Sequence, residues 1–494
     1  MESTLLNKPN RRRRWAFRFL TVAIAFSPFL VIELGLTLLD VGKSSEAEDP
    51  FVGFASVVPL FELNEDGTRF VLSPRRTSFF AHEEFPAKKS EKTFRIFCLG
   101  GSTVQGRPYS IETSFTTWLR IGLEQADPET NWEVVNCGGI SYASYRLVPI
   151  LEETLGYEPD LIILCTGHNE FLEDRTYKHL KQVPAWIEKP AHFLTSTRTV
   201  QLASSMMWSH SDGKTILQTE ADATLDYKNG IAAFHRDEEW SHGVAVHFES
   251  NVLRMIHLAQ SNNVPILLLK PPSNLRGTPP FKSESALLTK EEISKVEEMK
   301  IAARRLYSSD MNEATNIWKE ICRIDSAAAA NWYELGSCLD AQHRTEEAKS
   351  AYLAARDLDV CPLRMTTALE SALDEIAEKE EAPLIDLQEM LQKKMKTGNV
   401  SHNLFVDHVH PNFEGHQQIA LAIGHWLRQQ GYVQFNADWD VTCQERFNEH
   451  FDALPRTYFH RGQRMLAALK KWTQGDADGM PVEERFPHKF RTGQ

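Results

Sequence analysis

The 494 residues are enough for two or three domains, and 42% hydrophobic against 24% charged is the balance of a chain that folds around cores. Lys and Arg number 54 against 67 Asp and Glu, a formal charge of −13, which leaves no broad basic face for nucleic acid. Seven cysteines, an odd and small number, exclude a disulfide framework, and Cys98, Cys137 and Cys165 sit in or beside apolar runs as small buried hydrophobes.

The N-terminus comes first in chain order. A basic segment over 1–18, with Arg11 to Arg14 and Arg18, precedes the almost wholly apolar stretch 19–39. That length spans a bilayer as a helix. It is longer than a typical signal core, and the exit, Leu-Leu-Asp-Val-Gly, offers no small-x-small cleavage site. The expectation is an uncleaved single-pass anchor, with the basic end cytoplasmic and residues 43–494 outside the cytoplasm. Residues 43–90 read as a stalk with a few strands.

Strand–helix alternation then sets in. Phe94 to Leu99 is an apolar run ending in Gly100-Gly101-Ser102-Thr103. Ser114 to Gln125 is helical. Trp132 to Val135 is a second strand, ending at Asn136-Cys137-Gly138-Gly139. Tyr145 to Leu155 is helical. Asp160 to Cys165 is a third strand, ending at Gly167-His168-Asn169-Glu170. Val252 to Ser261 is helical, Val264 to Leu269 a fourth strand ending at Lys270-Pro-Pro, Pro383 to Asp386 a short fifth, and His416 to Gln429 a closing helix. The pattern predicts a three-layer α/β/α domain over 91–435, a parallel sheet with helices on both faces. The Gly-rich and polar signals fall at strand C-terminal ends, where open α/β sheets bind ligands.

Two stretches interrupt the alternation. Residues 171–245 carry several aromatics and weak periodicity, suited to a cap or lid. Residues 285–360 are strongly helical. Within them Trp332-Tyr333-Glu334-Leu335-Gly336, Glu347-Ala348, Tyr352 and Ala355 resemble one tetratricopeptide repeat, and Asn312-Glu313-Ala314, Trp318 and Ile321 resemble the end of another. The stretch is either a helical hairpin packed on the main domain or a docking surface for a protein partner. Residues 436–494, rich in Phe, His and Arg, form a C-terminal extension.

Serine attacks only when a base removes its proton and donors hold the oxyanion. Ser102 sits in a Gly-Gly-Ser-Thr turn that exposes its hydroxyl. In Asp407-His408-Val409-His410-Pro411 the three-residue offset lets the Asp407 carboxylate reach the His410 ring. Four blocks in order — Gly100 to Thr103, Asn136 to Ser141, Gly167 to Glu170, Asp407 to Pro411 — resemble the SGNH hydrolase family over about 91–290 and 380–430. The resemblance implies a flavodoxin-like fold and ester hydrolysis through an acyl-enzyme, with Ser102, Asp407 and His410 as triad. It also implies an oxyanion hole from the Ser102 amide, the Asn169 side chain and a second-block amide. Counting from Asn136 puts that last donor at Ser141, with Gly138 and Gly139 as competitors. The chain departs from the family's Gly-Asp-Ser-Leu at Gly101, and from its Asn-Asp at Glu170. Lys270, Asn274 and Arg276 at the fourth strand's end, and Arg364 after Cys361-Pro362, are candidates for reading an anionic substrate group.

Other chemistries have less behind them. His402, Asp407, His408, His410 and His416 have zinc-ligand composition, yet no His-Glu-x-x-His occurs. Gly-x-Ser-x-Gly, P-loop and dinucleotide fingerprints are absent. The reading needs no metal or cofactor. The substrate expected is an ester-bearing small molecule or glycan. Relatives that modify acetyl groups on exported polysaccharide make acyl transfer the nearer alternative. An inactive scaffold docking a partner through the helical insert is the more distant one.

Overall fold

The computed structural model describes residues 49, 51–177, 214–396, 403–477 and 479–485. The chain divides into two units, Met1–Val52 with Thr176–Thr215, and Gly53–Arg175 with Ile216–Gln494. In the few described residues of the first, the Asp49 carboxylate accepts from the amides of Phe51 (2.8 Å) and Val52 (3.0 Å). The expected anchor, 19–39, lies outside the described residues. Among the described residues no helix is long and apolar enough to cross a membrane.

The second unit begins with an antiparallel ribbon, β1 (Phe61–Leu63), β2 (Arg69–Leu72) and β3 (Glu84–Pro86). Phe61 and Phe85 are buried, and the Phe85 ring meets Phe97 of the central sheet edge-on at 5.4 Å. The fully buried Arg95 guanidinium donates to Glu133 at 2.6 Å and to the Pro86 carbonyl at 2.8 Å. Residues 53–90 therefore pack on the α/β body instead of standing off as the expected stalk. Their aromatic side chains gain more from burial than an extended stalk would return.

Five parallel strands form the sheet: β4 (Thr93–Gly100), β5 (Asn131–Gly138), β6 (Leu161–Cys165), β7 (Ile266–Lys270) and β8 (Leu384–Asp386). Their spatial order is β8-β7-β6-β4-β5. All five residues of β6 and of β7 are buried, as continuous apolar runs demand when helices cover both faces. Counted along the chain the strands stand 2-1-3-4-5, the doubly wound order. The winding reverses between β4 and β6, so the loops after them part and open a crevice.

The short α1 (Ser102–Gln105) follows β4. One face is covered by α2 (Phe115–Ala126), with α3 (Ser144–Leu155) and α4 (Glu238–Ser261) on the other. An insertion of four helices follows: α5 (Lys290–Arg305), α6 (Met311–Ile324), α7 (Ala329–Ala341) and α8 (Thr345–Asp357). The chain then returns to the sheet as α9 (Thr367–Lys379), beside α4, and as α10 (Leu387–Lys396), α11 (Phe413–Gln429) and α12 (Trp439–Ala453) on the α2 face. Trp118, Leu123, Ile423, Leu427 and Trp439 close over Ile96 and Cys98 there. Helix α13 (Arg456–Trp472) ends at the crevice. The C-terminal extension thus packs on the domain, with the Trp439 indole donating to the Gly122 carbonyl at 2.9 Å. All seven cysteines are buried and free.

Candidate active site

Ser102 owes its position to the two glycines before it. A Cβ on Gly100 would lie 2.2 Å from the Cys165 carbonyl oxygen, and one on Gly101 would lie 2.5 Å from Asn169 Nδ2. Only glycines allow β4 to run this close to β6 and turn at once into α1. The turn leaves Ser102 Oγ 2.8 Å from His410 Nε2. His410 Nδ1 lies 2.7 Å from Asp407 Oδ2. With the carboxylate facing it, Nδ1 carries the proton and Nε2 is free to accept from the serine.

The Asp407–His410 loop is rigidly held. Asp407 Oδ1 accepts from the amides of Val409 (2.9 Å) and His410 (2.8 Å). The Val406 amide donates to the His410 carbonyl at 3.0 Å, and the Asn412 amide to the Leu404 carbonyl at 2.8 Å. Burial alone pushes the Asp407 carboxyl up. The His410 imidazole, by charge and hydrogen bond, together with His408 and the His410 amide, more than reverses this and holds it well below the usual carboxylate range.

Donors converge beside Ser102. The Gly138 amide donates to Asn136 Oδ1 (3.0 Å), the Gly139 amide to the Gly100 carbonyl (2.9 Å) and the Ile140 amide to the Phe79 carbonyl (2.9 Å). Gly139 is thereby removed as a donor, because its N–H is consumed in extending the sheet. The amides of Ser102 and Ser141 have no acceptor among the described residues. Ser141 has φ +61°, a left-handed conformation that glycine adopts freely, and it lines the crevice. Asn169 spends one Nδ2 hydrogen on the Tyr142 carbonyl at 2.9 Å and keeps the other. The buried Glu170 accepts from the Ser144 amide (2.8 Å) and hydroxyl (2.9 Å), fastening the block to the start of α3.

These groups open on a cavity of about 240 Å³. Two neutral imidazoles border it. His168 accepts from the Met365 amide on Nδ1 (3.1 Å) and donates from Nε2 to the Pro272 carbonyl (3.2 Å). Burial pushes His168 down to about 3 and His408 to about 4. The apolar wall comes largely from α13, through Met465, Ala468, Leu469 and Trp472. Nothing in the sequence pattern of 436–494 pointed there. Arg107, five residues past the nucleophile, also lines the cavity and was missed. Its signal was a charge placed in the turn directly after Gly-Gly-Ser-Thr.

None of the four proposed anion readers lines this cavity. Lys270 Nζ lies 2.6 Å from Asp374 and 3.0 Å from Asp386. Arg276 pairs with Asp340 on the insertion at 2.5 Å. The buried Arg364 donates to the Thr278 carbonyl at 3.0 Å, with Asp359 at 3.7 Å. Asn274 donates to the Asp407 carbonyl (3.2 Å) and its amide to the His408 carbonyl (2.9 Å), so it braces the histidine loop from behind. Of the five residues with zinc-ligand composition, His402 lies outside the described residues. His416 turns away, its Nδ1 accepting from the Phe115 amide at 3.2 Å. Among the described residues no group of three His, Cys, Asp or Glu is placed to hold a metal.

A serine, an imidazole and a carboxylate in hydrogen-bonded series, with free donors beside the hydroxyl, can deprotonate the serine and stabilise negative charge on a substrate oxygen. No family model and no curated protein matches the chain. Similar solved structures include LAE5, an alpha/beta hydrolase enzyme from the metagenome of Lake Arreo, Spain. It is 12% identical, covering 71% of this chain and 99% of that one, with a TM-score of 0.31. Axe2, an acetylxylan esterase from Geobacillus stearothermophilus, is 13% identical over 72% of this chain and 98% of its own, with a TM-score of 0.31. A G-D-S-L family protein from Desulfitobacterium hafniense is 11% identical over 68% and 99%, with a TM-score of 0.29. At such scores the functional weight stays with the side-chain geometry.

Proposed function

We propose that the protein is a serine ester hydrolase of the SGNH type. The observation that carries this is the unbroken series Ser102 Oγ, His410 Nε2, His410 Nδ1 and Asp407 Oδ2, at 2.8 and 2.7 Å. Ser102 Oγ attacks the ester carbonyl while His410 takes its proton. The carbonyl oxygen becomes an oxyanion held by the Ser102 and Ser141 amides and the spare hydrogen of Asn169. Collapse breaks the ester C–O bond, and His410 returns the proton to the departing alcohol. Water then repeats the sequence on the acyl-enzyme. Asp407 keeps the ring in the productive tautomer and steadies it when charged. The cavity, about 240 Å³, suits a short acyl group such as acetyl on a glycan or lipid. With 19–39 as an anchor, the domain acts outside the cytoplasm.

The test is a fluorophosphonate probe on the purified full chain, with mass mapping of the modified peptide. Label is expected on Ser102, lost in Ser102→Ala and His410→Ala. Ester turnover in Ser102→Ala is expected to fall about 10⁴-fold or more with the fold intact. A folded wild-type protein that leaves Ser102 unlabelled would overturn the reading.

A further inference from the structure

We propose that Arg107 makes this site selective for esters that carry a carboxylate; the inference rests on the hydrolase reading above. Arg107 is the only permanent cation among the described residues that line the cavity. It forms no ion pair and leaves the outer fork of its guanidinium without an acceptor among the described residues. Everything else about it is fixed. Its amide donates to the carbonyl of Ser102 at 3.1 Å, tying it to the nucleophile's own turn. Its Nε donates to Gln105 Oε1 at 3.3 Å. Gln105 cannot swing away, because its Nε2 donates to the carbonyls of Phe79 (2.9 Å) and Gly138 (3.3 Å).

The result is a guanidinium held by one edge with its two terminal nitrogens presented, the shape that takes a carboxylate through two parallel bonds. Half-burial sharpens this, since a cation stripped of part of its water gains more from an anion that replaces it. The other charged wall residue does not compete. Asp226 already accepts from the Trp472 indole at 2.8 Å, and no ion pair joins it to Arg107. On a chain of net charge −13 an anionic ester finds little general attraction. A single presented cation beside the nucleophile therefore discriminates locally. The carboxylate could reside on the acyl half or on the alcohol half, as in an acylated acidic sugar or hydroxy acid.

The experiment compares second-order rates of Ser102 labelling by three fluorophosphonates on the full chain. One is uncharged, one carries a carboxylate on the P–C alkyl arm, which occupies the acyl side, and one carries it on the P–O alkyl arm, which occupies the alcohol side. One charged probe is expected to label wild type about tenfold faster than the neutral probe, and that arm identifies the half of the ester that bears the charge. The advantage is expected to collapse in Arg107→Gln and to survive in part in Arg107→Lys, which keeps the charge without the fork. Arg107→Lys also serves should Arg107→Gln not fold. Equal labelling of wild type by all three probes, or an advantage that persists in both variants, overturns the proposal and leaves the hydrolase reading standing. Absence of label from every probe on folded wild type overturns the hydrolase reading itself.

Discussion

The crevice above the sheet and the helical insertion over 290–357 are built by opposite means. The insertion is assembled from contiguous sequence. Asp310 caps α6 through the Glu313 amide, and Thr289 with Glu292 forms a capping box on α5. Trp318, Ile321, Leu335, Ala348 and Tyr352 make a core of their own, in which a Cβ on Gly336 would strike the Tyr352 ring at 2.8 Å. Two of its exposed ion pairs, Arg323–Glu320 at 2.6 Å and Arg344–Glu347 at 2.6 Å, span three residues, and in full contact with water such pairs add little. The crevice instead gathers residues 100–107, 136–142, 167–172, 274, 404–412 and 465–472. Its donors are left open, and His168 and His408 are buried uncharged. Local sequence stabilises the first region; the second exists only when the whole sheet does.

The contrast can be broken most decisively at Trp318. Trp318→Ala is expected to cost the insertion about 3–5 kcal/mol. Hydrogen exchange should then rise across 290–357 while Ser102 labelling stays within threefold. A matching loss of labelling would merge the two regions into one cooperative unit. At the crevice, Asn169→Ala is expected to lower kcat about 10²- to 10³-fold, the usual cost of one oxyanion donor. An unchanged kcat would make Asn169 a brace for Tyr142 alone.

A smaller effect distinguishes the regions by pH. Burial pushes His416 down to about 3, so from about pH 6.5 to 3 the unfolded chain holds a proton that the folded chain lacks. Stability therefore falls with pH in that window, by about 1.4 kcal/mol per unit for this group. His168 and His408 act in the same direction. Glu83, raised to about 7 by burial, and Asp359, raised to about 6 by burial, act in the opposite one, since their contribution is lost as pH rises. The difference between His416→Asn and wild type isolates the contribution of His416. Denaturant unfolding at pH 6 and 5 should show the variant's slope shallower by that amount, and an equal slope would refute the buried neutral imidazole. Smallest of all, Ser141→Gly relieves a left-handed φ and should raise stability by up to about 1 kcal/mol in a thermal melt. A loss would mean that the Ser141 side chain holds the turn.

Much of the frame was legible because it rests on apolar runs. The five strands lie where such runs meet Gly, Asn or Pro, with ends shifted by up to three residues. Helix α4 is an instructive partial reading. The expected 252–261 is its apolar end, while the mixed stretch from Glu238 buries Val244, His247 and Phe248 and is started by Asp237 capping the Trp240 amide. Ser102 was legible as a candidate from its Gly-Gly turn at a strand end, and Asp407 with His410 from their three-residue offset. The cations were not. Lys270 sits at a strand end as a substrate reader would, yet Asp374 and Asp386, more than a hundred residues on, neutralise it. Arg107 looks no different in the sequence, and only the absence of such a carboxylate among the described residues separates it from the others. The choice between Gly139 and Ser141 depended on which amides the sheet had already used.

Helix α13 lays the apolar wall of the cavity with residues some 360 positions beyond the nucleophile, after Asp407 and His410 have joined from nearly as far. During synthesis the serine therefore emerges well before residues 465–472, and the chamber around it closes only after them. A nascent or C-terminally clipped chain that lacks residues 465–472 carries Ser102 without the apolar wall of its cavity.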